Sequence, residues 1–416
     1  MRPTPHPPSD GFPSAAPGVL HPALLDVITA GPKVPVRAQR VSGFRTNGTT
    51  AGRWSAGGCG RSPHSPEVQL MTTSPTPLPP WPAPPSSDGD AHARLTWYAA
   101  VARWAPSKHN SQPWRFVVAG DRLEIWRDPS RLLAATDPHS RELVMSCAAA
   151  AHLACVAARS LGVEPVLSVF PAAEGSCVAS LREGGAWPVS AEDRALLAVV
   201  PHRRTDRGPL DGDQLPAELP FVLQDVATAE NATLHLVRSV GARATLATLV
   251  ATADRLLHQR GVTDAELARW LRDAGDLRTD GVPATHTRGQ TASYAAEFVQ
   301  RDFSTSRSRP AQDRPGPDHP LVAVLCTPHD RREDWVVAGR ALAAVLLRAA
   351  LAGAHASYLN QPVEEPRMRA MLRDDLALAG VPQLVLRLGV GGHVDAPPRR
   401  PLDDVALVGL RDHADG

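Results

Sequence analysis

From Ala91 onward the chain alternates apolar stretches of helical and of strand period, whereas residues 1 to about 90 show neither. The opening segment is crowded with Pro, Gly, Ser and Thr, as in TSPTPLPPWPAPPSSDGD, and has too little apolar patterning to offset the entropy of ordering it. Residues 1–90 are therefore read as a disordered leader. Within it, VLHPALLDVITA is broken by Pro and has no charged segment directly before it, which argues against a secretory signal. Met71 opens MTTSPTPLPPW, which would serve as a short natural leader, so residues 1–70 are read as an over-extended start.

Beyond the leader, LTWYAAVARWA has helical periodicity and stops at Pro106, where the chain must leave the helix. WRFVVAGDRLEIWRD reads as a β-hairpin turning at Ala119, Gly120 and Asp121. Residues 141–161 (RELVMSCAAAAHLACVAARSL) predict a buried helix of small apolar residues, capped by Gly162 and followed by the strand VEPVLSVF. The same order returns later: LVAVLCTP as a strand, DWVVAGRALAAVLLRAALAG as a second buried Ala-rich helix, AHASYL extended behind it, then the strand PQLVLRLGVG. This repetition predicts an internal duplication, with one half over 91–199 and another over 200–410. Asp264 to Leu277 reads as a charged helix, and 278–319 as a polar, irregular segment. A loop that long inside a compact domain is either functional or disordered, so it is a candidate lid.

At 416 residues the chain exceeds what one core usually organises, which agrees with two units or one large fused domain. Its 43% hydrophobic and 21% charged residues are ordinary for a globular protein. No apolar run approaches the roughly 18 residues of a membrane span, so a soluble protein without membrane contact is expected. The 44 basic and 43 acidic side chains nearly cancel and the arginines are scattered, which removes the electrostatic footprint of a nucleic-acid partner. Only Lys33 and Lys108 are lysines, so almost every cation is a guanidinium, suited to bidentate contact with phosphate. Cys59, Cys147, Cys155, Cys177 and Cys326 form no CxxC pair and no zinc-like cluster, and are read as reduced packing residues of a cytoplasmic protein.

Three strings carry candidate chemistry. Ala105 to Trp114 (APSKHNSQPW) packs Ser, Asn and Gln into a proline-bounded turn between helix and strand, able to hydrogen-bond a planar heterocycle; the plainer alternative is a turn that only caps its neighbours. Arg203 to Arg207 (RRTDR) gathers guanidinium groups and a hydroxyl suited to a phosphate, and read alone equally suits a solvated turn. Pro397 to Val405 (PPRRPLDDV) is a basic tail or a terminal linker.

Together these strings resemble the nitroreductase superfamily. APSKHNSQPW is similar to its APSxxNxQPW motif, whose residues approach the ring and ribityl chain of flavin mononucleotide (FMN) from the dimer partner. That resemblance makes Pro106, Ser107, Lys108, Asn110 and Gln112 cofactor-binding residues. RRTDR is similar to RRSxR, in which the first Arg and the hydroxyl hold the phosphate and the last basic residue reaches flavin N1. The carry-over covers Arg203, Arg204, Thr205 and Arg207, with Arg207 at N1. The tail is similar to the basic ending before a PLEEV-like string; its compressed spacing leaves Arg399 and Arg400 as alternatives over the phosphate. LCTPHDRREDWVVAGRALAAVLLRAALAG, Asn360, Gln361, Pro362 and VPQLVLRLGVG extend the resemblance to the fused, actinobacterial Acg-like subgroup, over about 91–407. By position, Tyr358 to Gln361 matches the loop facing flavin N5, which adds Asn360 and Gln361.

The resemblance implies a nitroreductase-like α+β fold of two fused pseudo-symmetric halves, each with a central mixed β-sheet flanked by helices. Because the phosphate motifs and the APS turn sit on opposite halves, one complete FMN site results. Two functions follow. One is an oxidoreductase passing hydride from NAD(P)H to flavin N5 and on to nitroaromatic or quinone acceptors. The other is a non-catalytic FMN-sequestering protein, its flavin covered by the lid. Neither requires an acid–base residue or a metal ligand.

Overall fold

The structure, a computed structural model, describes residues 81–86, 89–172, 175–273, 275–286, 297–301, 303 and 318–408. The proposed start at Met71 and all of the leader except 81–86 and 89–90 lie outside the described residues, as does most of the candidate lid. Within the leader's last residues, Trp81 packs edge-on against Trp104 with ring centroids 5.5 Å apart. The Trp97 indole donates to Pro82 O (3.1 Å).

Helix α1 (Ala91–Ala102) starts on Asp90, whose carboxylate accepts from His92 N at 3.3 Å. Strands β1 (Trp114–Ala119) and β2 (Arg122–Arg127) form the expected hairpin. Gly120 takes φ 58° at the turn, a value that a two-residue hairpin loop demands and glycine adopts without Cβ clash. Helix α2 (Arg141–Ser160) is held at its start by the Asp137 carboxylate, which accepts from Glu142 N (3.1 Å) and Leu143 N (2.9 Å). All but its last two residues are buried. By length and composition α2 is apolar enough to cross a membrane, contrary to the expectation from apolar runs. Its Ser146 and His152 break the run but leave the helix apolar overall, and here it is a core helix.

Strands β3 (Val163–Val169) and β4 (Cys177–Ala186) follow, then α3 (Ala191–Val199), opened by a Ser190–Asp193 capping box. The second series comprises α4 (Leu219–Ala229), β5 (Thr233–Leu236), α5 (Val240–Gln259), α6 (Val262–Trp270), β6 (Leu271–Arg272), β7 (Val282–Pro283) and β8 (Leu321–Thr327). It continues with α7 (Arg332–Leu351), β9 (His355–Tyr358), α8 (Gln361–Glu364), α9 (Pro366–Asp375), β10 (Val381–Gly389), α10 (Leu402–Val405) and β11 (Ala406–Val408). The charged helix expected over 264–277 ends early, at Trp270. Leu271 and Arg272 leave it to pair in parallel with Val282 and Pro283, because Arg272 turns inward onto Asp280 (2.6 Å).

Two sheets organise the core. The first runs β11-β1-β2-β4-β3 and the second β5-β8-β10-β9. Leaving β11 aside, each sheet has the chain order first, second, fourth, third, with every pairing antiparallel. Only the first is mixed, which corrects the expectation of two mixed sheets. Its parallel member is β11, the end of the chain laid along β1 with Phe116 opposite Ala406. The second sheet receives one parallel bridge, Thr205 to Ala356, rather than a strand. Between the sheets, α2 and α7 pack so closely that a Cβ on Gly339 would strike Met145 O and the Ala148 side chain. Small residues at the crossing permit this approach.

Candidate functional site

The kinked turn after α1 delivers the first set of site residues. His109, Asn110 and Gln112 all hold positive φ (52°, 53° and 49°), a conformation costly for side chains with a Cβ and maintained by what surrounds it. Ser107 Oγ accepts from Gln112 N at 3.0 Å, closing the turn on itself. Against this turn lie the start of α2, the Arg203–Arg207 loop pinned by Asp206 N donating to Ala356 O (2.8 Å), the end of β9, and α8.

Two adjoining cavities result. The larger holds about 910 Å³ of empty space counting its open mouth. Pro106, Ser107, Lys108, Thr205, Arg207, Asn360 and Gln361 line it, together with His109, Glu142, Met145 and Tyr358. Gln300, Arg301 and Phe303, from the 278–319 segment, complete its wall. The smaller cavity, about 390 Å³, is lined by Asn110, Arg203, Arg399 and His286, and shares Pro106, Ser107, Thr205 and Arg207 with the first.

Electrostatics separates the two. In the larger cavity the cations are balanced. Lys108 Nζ contacts Glu142 and lies 3.1 Å from Glu364, whose other oxygen is 2.6 Å from Arg301. Burial disfavours the charged Lys108, but Glu142 and Glu364 outweigh it and hold the ammonium above its usual range. Glu364 is likewise held below the carboxylate range, against burial, by Arg301 and Lys108. Burial, then Lys108, Arg301 and Arg207, drives His109 well below its ordinary value, so its ring is neutral. Burial raises the Tyr358 phenol despite Arg203 and Arg207 nearby.

The smaller cavity carries positive charge with no carboxylate among its described lining residues. Arg203 is 5% exposed, with Nε and Nη1 buried and, among the described residues, without a partner. Arg399 is 3% exposed; it donates to Asn110 Oδ1 (2.5 Å) and Trp104 O (3.1 Å), while its Nε stays unpartnered. Burial lowers both guanidinium groups, Arg399 well below its usual value because Arg203, Arg204 and Arg103 add repulsion. Arg207, between the cavities, is lowered by burial to about 10 and stacks 4.6 Å over the Phe303 ring. Unpaired buried cations are costly, so this arrangement calls for an anion.

Three expected site residues fall outside both linings. Gln112 is fully buried, donating to Thr279 O (2.8 Å) and accepting from Arg400 N (2.9 Å). Arg204 donates to Pro201 O (2.6 Å) and Val394 O (3.3 Å). Arg400 reaches Asp404 O (2.8 Å), leaving Arg399 as the tail residue at the cavity. Asn360 and Gln361 line the larger cavity with their side chains already engaged: Asn360 Oδ1 accepts from Val385 N (3.0 Å) and Gln361 donates to Asp254 (3.3 Å). Sequence reading missed His109, Glu142, Phe303 and His286. His109 stood inside the motif, and Glu142 was a carboxylate opening an otherwise apolar helix; Phe303 and His286 lay in the 278–319 candidate lid, where no single residue stood out.

No protein-family model matches the chain. It is 33% identical over 305 residues to "Putative NAD(P)H nitroreductase Rv3131" of Mycobacterium tuberculosis, covering 71% of this chain and 85% of that protein. It is 28% identical over 319 residues to "Putative NAD(P)H nitroreductase acg" of the same organism, 74% of this chain and 94% of the other. A third relative from that organism, "Uncharacterized protein Rv3127", is 28% identical over 317 residues, 73% and 90% of the two chains.

Proposed function

Since the chain belongs to the nitroreductase family, we propose that its two cavities together hold one FMN, and that it is an FMN-dependent oxidoreductase. The observation that carries this reading is the pair of buried guanidinium groups, Arg203 and Arg399, which line a small cavity beside a larger one and, among the described residues, keep nitrogens without a hydrogen-bond partner. Arg203, Thr205 and Arg399 would hold the phosphate, by charge-assisted hydrogen bonds. Arg207, shared by both cavities, would carry a fixed positive charge where the phosphate arm meets the ring. Lys108, Glu142, Glu364 and Arg301 form a charge-balanced wall that keeps the larger cavity's shape. When bound, FMN supplies two-electron chemistry, taking hydride at N5 from NAD(P)H and passing electrons to nitroaromatic or quinone acceptors.

The architecture fits a fused pair of nitroreductase-like halves, over 91–199 and 200–410. Both sheets share one strand order, and both 20-residue core helices, α2 and α7, precede a left-handed glycine, Gly162 (φ 78°) and Gly353 (φ 75°).

One observation favours a second reading, FMN sequestration: Gln300, Arg301 and Phe303 of the 278–319 segment stand in the cavity wall, Phe303 beneath Arg207. Adding excess NADPH anaerobically to the yellow protein distinguishes the two. Loss of absorbance near 450 nm within seconds supports turnover, and persistent colour supports sequestration. A protein that stays colourless and fails to take up added FMN refutes both.

A further inference from the structure

The polar side chains of the APSKHNSQPW turn do not all point at the cavities. Asn110 Nδ2 donates to Gly281 O and to Pro398 O, each at 3.0 Å, while its Oδ1 accepts from Arg399 Nη1 at 2.5 Å. Gly281 N returns a bond to Asn110 O (3.1 Å). Gln112, fully buried, donates to Thr279 O and accepts from Arg400 N. Arg131 adds Ser111 O (2.7 Å) and Asp280 (2.8 Å), and Arg103 donates to Arg400 O (2.9 Å). Residues 110–112, 279–281 and 398–400, remote in sequence, are thereby tied at one point.

We infer that Asn110 and Gln112 are positioning residues: they latch the C-terminal segment and the 279–281 segment onto the first half, and so hold Arg399 at the small cavity.

The geometry admits little else for them. Asn110 lines the small cavity, yet both its N–H groups are spent on backbone carbonyls and its Oδ1 accepts from the Arg399 guanidinium. Gln112 reaches neither cavity. The positive φ of both residues is a strain that the surrounding bonds hold, and a turn relaxed to ordinary φ would swing both amides away from the tail. Among the described residues Arg399 has two further anchors, Trp104 O on Nη2 and Pro398 O on Nη1 at 3.4 Å, so losing Asn110 leaves Nη1 with only the longer of its two bonds.

This inference rests on the assignment of a phosphate to the small cavity, and the test separates the two. FMN and riboflavin, which lacks the phosphate, are titrated into flavin-free wild type, Asn110→Ala, Arg399→Gln and the double variant. Wild type that prefers FMN over riboflavin upholds the phosphate assignment; equal affinity overturns that assignment, whatever the variants do. A latch predicts that Asn110→Ala weakens FMN about tenfold, leaves riboflavin unchanged, and adds nothing on the Arg399→Gln background. If Asn110 instead touches the ring, both flavins weaken alike and the loss persists in the double variant, which overturns the inference. Asn110→Ser, which still accepts from Arg399 but cannot bridge both carbonyls, guards against a folding failure of the alanine variant. It is expected to show a smaller loss confined to FMN, and a loss shared by riboflavin again overturns the latch.

Discussion

Replacing Arg203 by Met is expected to stabilise the free protein and to shrink the stabilisation that FMN adds. In the ligand-free protein the guanidinium is buried, its Nε and Nη1 lack a partner among the described residues, and burial disfavours its charge. An apolar side chain of similar length removes an uncompensated buried charge, which should stabilise the free protein by about 1–3 kcal/mol. FMN offsets that gain. Wild type in FMN at 100 times its Kd gains about 2.7 kcal/mol of stability. Losing a charged contact to phosphate costs about 2 kcal/mol, a roughly 30-fold weaker Kd. The same FMN concentration then adds only about 0.9 kcal/mol. Thermal melts followed by intrinsic fluorescence, with and without FMN, would show the variant melting above wild type when free and gaining far less on saturation. A variant that melts lower without FMN, or gains as much as wild type with it, refutes the claim that Arg203 waits for an anion.

Other outcomes follow from the same geometry. Arg207→Gln should keep FMN but lower its two-electron potential, by about 30 mV for each 1.4 kcal/mol of charge stabilisation lost; a spectroelectrochemical titration checks this, and an unchanged potential removes Arg207 from the ring. His286 is lowered by burial, then by Arg207, from 6.5 to about 4. Between those values the unfolded chain binds more protons than the native one, so stability should fall as pH drops from 6.5 towards 4. His286→Gln should flatten that slope in melts of the free protein, and an unaltered slope would locate the proton uptake elsewhere. Gly339→Val should destabilise by about 1–3 kcal/mol through overpacking against Met145 and Ala148, seen as a lower urea midpoint; a neutral substitution would mean that α2 and α7 can separate without penalty.

What could be read beforehand was local. The hairpin, the two Ala-rich helices and their glycine ends follow from short-range periodicity and turn chemistry, and RRTDR marked Arg203 and Arg207 through its resemblance to RRSxR. Pairings across long separations were out of reach: nothing in ALV at 406–408 says that it joins β1, and nothing in Leu271–Arg272 says that a charged helix stops there to meet Val282. The same limit governs the site. A motif marks a turn as special but not which partner each amide takes, and that is decided by where Arg399, Thr279 and Gly281 arrive. Glu142 and Glu364 were ordinary surface-type residues until folding buried them around Lys108.

The parallel pairing of β11 with β1 sets a schedule for the protein's synthesis. About 290 residues separate Ala119 from Ala406, which at the ribosome's 5–20 residues per second is roughly 15–60 s. Throughout that interval the hairpin's β1 edge has no neighbour, the condition in which strands recruit other chains. Arg399 emerges at the same late moment as β11. On the proposed reading, the sheet's closing edge and the anchor for an FMN phosphate therefore arrive together, and a nascent chain whose first sheet is incomplete lacks that anchor.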